Sequence, residues 1–131
     1  MAEGELERLD WSQFLIDIYT LIDKLPEKTA GVSAVFGNND SGIIPAYLIA
    51  KRTGMLYLDG PRAAVHSMSN SGDILYVVGY TSDGEDLVYY RHGCKLASLY
   101  VQRGASMVVS PDVYVREVSG GVVFPWDYSG D

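Results

Sequence analysis

The sequence has a single cysteine, Cys94. One thiol excludes an internal disulfide, and without a CxxC pair it offers no thiolate zinc site. Cysteine usage of this kind suits a reducing cytoplasm. Long apolar runs are missing too, so no segment reads as a membrane span. The opening MAEGELERLD is acidic and polar, which is not the pattern of a signal peptide. Basic residues are scarce: 10 Lys and Arg stand against 17 Asp and Glu, a net charge of −7. Such a chain repels phosphate backbones at long range, and no local basic patch is visible to reverse this. Nucleic acid is therefore not an expected partner. Internal repeats and low-complexity segments are absent, and no composition shift marks a domain boundary.

What is present is enough for a folded core. The chain has 131 residues, 47% of them hydrophobic and 21% charged, which sets it apart from disordered sequences. One domain spanning 1–131 is expected. Asp10 with Gln13 three residues later reads as a capping box. Phe14, Ile18, Leu21, Ile22 and Leu25 then recur at helical spacing. This predicts a helix over about 11–25, stopped by Pro26. GVSAVFG (31–37) is β-branched and aromatic, hence a strand. IIPAYLIAKRTG (43–54) predicts a buried helix, with Pro45 in its first turn and Gly54 as C-cap. MLYLD, DILYVVG and KLASLYVQ predict further strands, and GEDLVYYRHGC a short helix ending at Gly93. Residues 60–72 read as a polar loop. Beyond Gly104 the pattern is short strands and turns.

This alternation predicts an α/β fold: a mostly parallel twisted sheet flanked by helices on both faces, with a short C-terminal β/hood segment. Ligands in such sheets bind at the carboxyl ends of the strands. Two loops leave strands there, Gly37–Gly42 and Gly79–Gly84, and both lead into helix N-termini. That is a phosphate-binding geometry. Yet the second loop, GYTSDGED, carries acids and no Lys or Arg.

Read in order, these segments resemble the type I phosphoribosyltransferases, in particular the xanthine/guanine/hypoxanthine branch. DWSQF, GNNDSGIIPAYLIAKRTGM, ILYVVGYTSDGEDL, LASLYVQ, PDVYVREV and FPWD fall where that branch has similar strings. The resemblance implies a phosphate-loop counterpart at Thr81, Ser82, Asp83, Gly84, Glu85 and Asp86. It implies a pyrophosphate-loop counterpart at Asn38, Asn39, Asp40, Ser41 and Gly42. A base-pocket counterpart falls at Gln102, Arg103, Gly121 and Val122. It implies a homodimer, and magnesium if the chain is active.

The departures bear on function. Val78 and Gly79 stand where the family has two acids that hold ribose hydroxyls. Ser82, Asp83 and Asp86 replace Asp-Thr and a second Thr. Asp40-Ser41-Gly42 replaces Arg-Gly-Gly, and Gly121 stands where an aromatic stacks on the purine. The resemblance therefore points to a chain that has lost phosphoribosyl binding and serves as a non-catalytic binding or partner protein. On that reading, replacing Asp83 and Asp86 by Thr does not lower stability and raises affinity for phosphate or sulfate. The alternatives are an active purine phosphoribosyltransferase with a rebuilt magnesium site, and a different enzyme acting on a neutral or cationic small molecule.

Plainer readings stand beside these. Asp83, Glu85 and Asp86 could hold a divalent metal, with Asp83 and Asp86 the candidates, but acids at a helix start are favoured by the dipole alone. Asn38 to Ser41 could be a polar pocket or an ordinary Asx turn. His66 and His92 could act as bases but read as exposed, and no nucleophile elbow accompanies them. Cys94 reads as a buried inert thiol. Tyr80, Tyr89, Tyr90 and Tyr100 serve a site, an interface or packing, and Tyr89-Tyr90 reads as one outward, one inward. Trp126 reads as the anchor of the C-terminal strand.

Overall fold

The structure, a computed structural model, describes residues 6–59 and 73–130. The chain runs β1 (Glu7–Arg8), α1 (Trp11–Lys28), β2 (Ala34–Gly37), α2 (Asp40–Thr53), β3 (Leu56–Tyr57) and β4 (Ile74–Thr81). A 3₁₀ helix (Glu85–Tyr90), β5 (Lys95–Gln102), β6 (Val113–Val118), β7 (Val122–Val123) and a second 3₁₀ helix (Pro125–Gly130) follow. Five strands form a parallel sheet in the order β3-β2-β4-β5-β6, and β1 pairs with β7. The mostly parallel α/β sheet flanked by helices is as the alternation predicted.

Both long helices lie on one face. Phe14, Ile18, Leu21 and Leu25 of α1 and Ala46 and Ile49 of α2 pack on Val35, Leu75, Val77, Ala97 and Leu99. Burying each large side chain contributes roughly 1.5–3 kcal/mol. The alternate residues Ala34, Phe36, Ile74, Tyr76, Val78 and Leu96 face the other way, where Leu87 of the first 3₁₀ helix covers them. The period of two along the strands thus sorts two apolar layers. Among the described residues no helix is long and apolar enough to cross a membrane.

Local chemistry explains the boundaries and the departures. The Gln13 N–H donates to Asp10 Oδ1 at 2.8 Å, as the capping box requires. The Gln13 side chain does not reach back; it donates to Asp17 Oδ1. Pro26 does not end α1, which runs to Lys28. A proline one turn from a helix end removes one hydrogen bond, and the buried Leu25 beside it holds the last turn in place. Pro45 lies in the second turn of α2, because Asn39, not a later residue, caps the helix. Gly54 closes α2 in the left-handed conformation, as predicted. The segment GEDLVYY forms six residues of 3₁₀ helix, short of the helix expected through Gly93. Gly84 is its N-cap. The predicted strand over 55–59 shrinks to two residues, since β3 is an edge with one partner.

Candidate functional site

The carboxyl ends of β2, β4 and β5 carry the residues that the sequence singled out. After β2, Asn39 caps α2: its Oδ1 accepts from the Gly42 N–H at 3.0 Å and from the Ser41 hydroxyl at 3.0 Å. The Asn39 carbonyl accepts from the Gly42 and Ile43 N–H groups. The loop is thus the Asx-type turn, with the Gly42 amide held by the Asn39 side chain. Pro45 brings no N–H to the Ser41 carbonyl one turn back, and that carbonyl lies against Gly79 of β4.

Gly79 is where α2 meets the sheet. A Cβ built there would stand 2.5 Å from the Ser41 carbonyl oxygen and 2.6 Å from Phe124 Cζ. Contacts under 3 Å with backbone cannot relax cheaply, so no acid fits at this position without moving α2. The close approach of helix, strand and Phe124 fills the space that a carboxylate would need.

After β4, the expected loop is shorter than the sequence suggested. Tyr80 and Thr81 belong to the strand, leaving Ser82 to Gly84 as the turn. Thr81 is buried, its hydroxyl donating to Asp86 Oδ1 at 2.6 Å and accepting from the Gly84 N–H at 2.9 Å. Asp83 Oδ1 accepts from the Glu85 N–H at 2.9 Å, and the Leu87 N–H donates to the Gly84 carbonyl. The Gly84, Glu85 and Leu87 amides are therefore answered by the chain's own oxygens, one of them a carboxylate. Val108 and Val109 close over the turn. The Val108 N–H donates to the Asp83 carbonyl at 2.8 Å, and a Cβ at Gly84, where φ is +81°, would meet the Val109 carbonyl at 1.8 Å.

The electrostatics follow. A phosphate anion brought to 4 Å from the Asp83 carboxylate meets about 4 kcal/mol of repulsion per charge pair at an effective dielectric of 20. One charge-assisted amide hydrogen bond returns roughly 1.5–3 kcal/mol. The repulsion exceeds what any single such bond returns. Asp86 and Glu85 are exposed, and Asp83 is half-buried. Among the described residues no group of three His, Cys, Asp or Glu comes together as a metal site. The family's magnesium does not fit the donor set at these strand ends: one acid position is a glycine without room for a side chain, and Asp83 and Asp86 are hydrogen-bonded within the turn.

The four positions matched to the base pocket do not form one cluster of side chains. Gln102 bridges Tyr80 and Ser119: the Tyr80 hydroxyl donates to its Oε1 at 2.8 Å, and its Nε2 donates to the Ser119 carbonyl at 2.9 Å. Burial and the nearby Asp83 charge raise the Tyr80 pKa. Arg103 points to Glu117 at 3.9 Å, an exposed pair. Gly121 and Val122 belong to the β1–β7 pair, with Leu6 next to the Gly121 α-carbon. Sequence reasoning missed β1, because two residues carry no periodicity.

Of the other singled-out residues, Cys94 is buried, and burial with the nearby Asp73 pushes its thiol up to about 11. Tyr89 is 85% exposed while Tyr90 packs on Phe36 and Tyr76, the outward and inward pair expected. Trp126 stacks on Phe124 and meets Phe14 edge-on, so it anchors the C-terminal segment to α1. His92 is exposed and accepts from Arg91 Nε. His66 and the 60–72 loop lie outside the described residues.

One functional-looking group had not been singled out. Asp17 is 4% exposed on the apolar stripe of α1. Its Oδ2 accepts from the Tyr100 hydroxyl at 2.5 Å and faces Arg116 at 3.5 Å. Arg116 also pairs with Glu7 and lies over the Tyr100 ring. The available signal was an acid one residue from Ile18 on a buried face.

No family model matches the chain, and no curated protein matches it in sequence. Solved structures do match in fold. A purine phosphoribosyltransferase from Pyrococcus horikoshii Ot3 superposes with a TM-score of 0.70 at 19% identity, covering 92% of this chain and 93% of that one. The Helicobacter pylori xanthine-guanine-hypoxanthine phosphoribosyltransferase gives 0.74 at 14% identity, covering 95% of each chain. A hypothetical protein from Neisseria gonorrhoeae with bound ppGpp gives 0.69 at 12%, covering 94% and 90%. The chain has the type I phosphoribosyltransferase fold.

Proposed function

We propose that this protein is a non-catalytic binding or partner protein built on the purine phosphoribosyltransferase fold, acting as one domain over 1–131. The observation that carries the reading is the turn after β4, where Thr81 and Asp83 oxygens already accept from the Gly84 and Glu85 amides. A phosphate would have to displace them against like charge. Gly79 supports the reading independently, since it has no room for a ribose-binding acid. Transfer of a ribose phosphate depends on positioning and on charge stabilisation, and both are weakened here. The single cysteine carries over the expectation of a cytoplasmic protein.

The test is isothermal titration with phosphoribosyl pyrophosphate and with GMP, each with and without magnesium. Because the Neisseria gonorrhoeae structure holds ppGpp, that nucleotide is titrated as well. No heat at millimolar phosphoribosyl pyrophosphate is the expected result. Magnesium-dependent binding in the micromolar range, followed by turnover of any purine, would overturn the proposal in favour of an active salvage enzyme.

A further inference from the structure

The five-stranded sheet has two edges, and they differ. β3 is two residues long, while β6 has six and, among the described residues, pairs on one side only. Natural edges are usually shortened, bulged, broken by proline or covered, because an open row of N–H and C=O groups pairs with any free strand. Backbone bonds at the two ends of β6 show which way its residues turn. The Asp112 N–H donates to the Leu96 carbonyl at 2.8 Å, and the Val118 carbonyl accepts from the Arg103 N–H at 2.8 Å. Along a parallel strand the direction alternates residue by residue. Residues 112, 114, 116 and 118 therefore turn their backbone to β5, and Val113, Val115 and Glu117 turn theirs outward. Lys24 Nζ donates to the Tyr114 carbonyl, one of the inward set, and Pro111 precedes the strand, so neither blocks the outward row. That row is roughly 13 Å long.

A groove of about 530 Å³ runs along the α1 side of this edge, lined by Asp23, Lys24, Glu27 and Lys28 of α1 and by residues 111–115. Val113 is buried and Val115 half-buried, so the strand gives the groove an apolar floor. The helix gives it a charged wall. Asp23 and Glu27 stand one turn apart on α1, both exposed. Among the described residues neither carboxylate has an ion-pair partner. Lys24, by contrast, is held at the Tyr114 carbonyl at 2.9 Å. Three acids and two lysines line the groove, in a chain of net charge −7.

We propose that β6 and this groove bind an extended, basic segment of another protein by strand addition. Main chain matches a row of donors and acceptors repeating at strand spacing, and alternate side chains of the added strand enter the groove. Lys or Arg suits those positions: the stem lies on Val113 and Val115, and the charged head reaches Asp23 and Glu27. A second copy of this chain fits poorly. Pairing β6 with itself brings a second Asp23 and Glu27 to the same place, and two chains of charge −7 repel. The proposal rests on the partner-protein reading and gives that partner a surface. The titration with phosphoribosyl pyrophosphate tests the reading alone, so the two fail separately.

The probe is a capped hexapeptide alternating lysine and valine, titrated into the full chain and followed by amide resonances and hydrogen exchange. The Val113, Val115 and Glu117 amides should shift and exchange more slowly. The Tyr114 and Arg116 amides, already turned to β5, should change little. The same peptide with glutamate in place of lysine should bind about tenfold more weakly, and salt should weaken the lysine peptide. Val115→Pro removes the central outward N–H at a position where an edge strand tolerates proline, and should weaken binding roughly tenfold. Asp23→Lys combined with Glu27→Lys should weaken it several-fold; these exposed changes keep the test open should Val115→Pro not fold. No shift at the edge, equal binding of the two peptides, or binding indifferent to both variants would overturn the proposal. Edge amides that shift with protein concentration alone would overturn it in favour of a second copy.

Discussion

The Tyr100 hydroxyl donates to Asp17 Oδ2 at 2.5 Å, joining β5 to α1 across 83 residues of sequence. Tyr100 is fully buried and Asp17 nearly so, and Arg116 supplies the cation for the carboxylate. A buried carboxylate is tolerable only when its oxygens are answered. Here Gln13, Tyr100 and Arg116 answer them. The Tyr100 pKa is raised by burial first and by its bond to Asp17 second.

Tyr100→Phe should therefore destabilise the fold by about 1–3 kcal/mol, the cost of leaving a buried acceptor unanswered. Arg116→Ala should cost more than an ordinary surface change, because it leaves Asp17 buried without its cation. Urea denaturation of the two variants checks this. Equal stability to the parent chain would mean that water reaches Asp17.

Gly79→Asp, which puts back an acid where the resembling family has one, should destabilise rather than activate. The new Cβ would strike the Ser41 carbonyl and the Phe124 ring, a cost of about 2–4 kcal/mol. Gly79→Ala isolates the steric part and should already show most of it. A stable Gly79→Asp protein that binds phosphoribosyl pyrophosphate would show that α2 moves freely.

Replacing Asp83 and Asp86 together by Thr was expected from sequence not to lower stability. The hydrogen bonds now seen, Glu85 N–H to Asp83 and Thr81 hydroxyl to Asp86, correct that expectation. A loss of about 0.5–1.5 kcal/mol per bond is expected, less where Thr can replace the acceptor. The same change removes two anions and frees an amide, so inorganic phosphate should shift the Gly84 and Glu85 amide resonances in the variant and not in the parent. Unmoved resonances would show that the acids do not guard the turn.

Alkaline stability should bear the mark of Cys94. Its thiol is raised from 9.0 to about 11 by burial and then by Asp73. Between those values the unfolded chain has lost the proton and the folded chain keeps it, so stability falls as pH rises from about 9 to 11. The loss is on the order of 2 kcal/mol. Cys94→Ala should flatten this part of the profile, and thiol reagents should modify the native protein slowly at neutral pH. Fast labelling would place the thiol at the surface.

Local signals carried β4, β5 and the start of α1, while α2 begins at Asp40, ahead of the Ile43 start that the pattern gave. KLASLYVQ is β5 residue for residue, and Asp10 and Asn39 cap helices because their carbonyl-type oxygens reach back to nearby amides. The ends of elements were less legible. Pro26 stops a helix only where nothing else holds the next turn, and packing held it here. The candidate site was legible as a set of positions in two loops. Whether those loops were open was not, since Gly79 reads as a flexible residue in sequence and as a close-packing contact in three dimensions.

By itself the sequence determined the parallel α/β plan, the acidic turn after β4, the N-cap of α1 and the C-cap of α2, because each depends on residues within a few positions of one another. Only the tertiary structure decided that Val108 and Val109 close over the turn after β4, that Asp17 lies buried with Tyr100 and Arg116, and that α2 presses on Gly79. Those facts depend on contacts between residues far apart in the chain, and the backbone must first bring such residues within hydrogen-bonding or van der Waals reach.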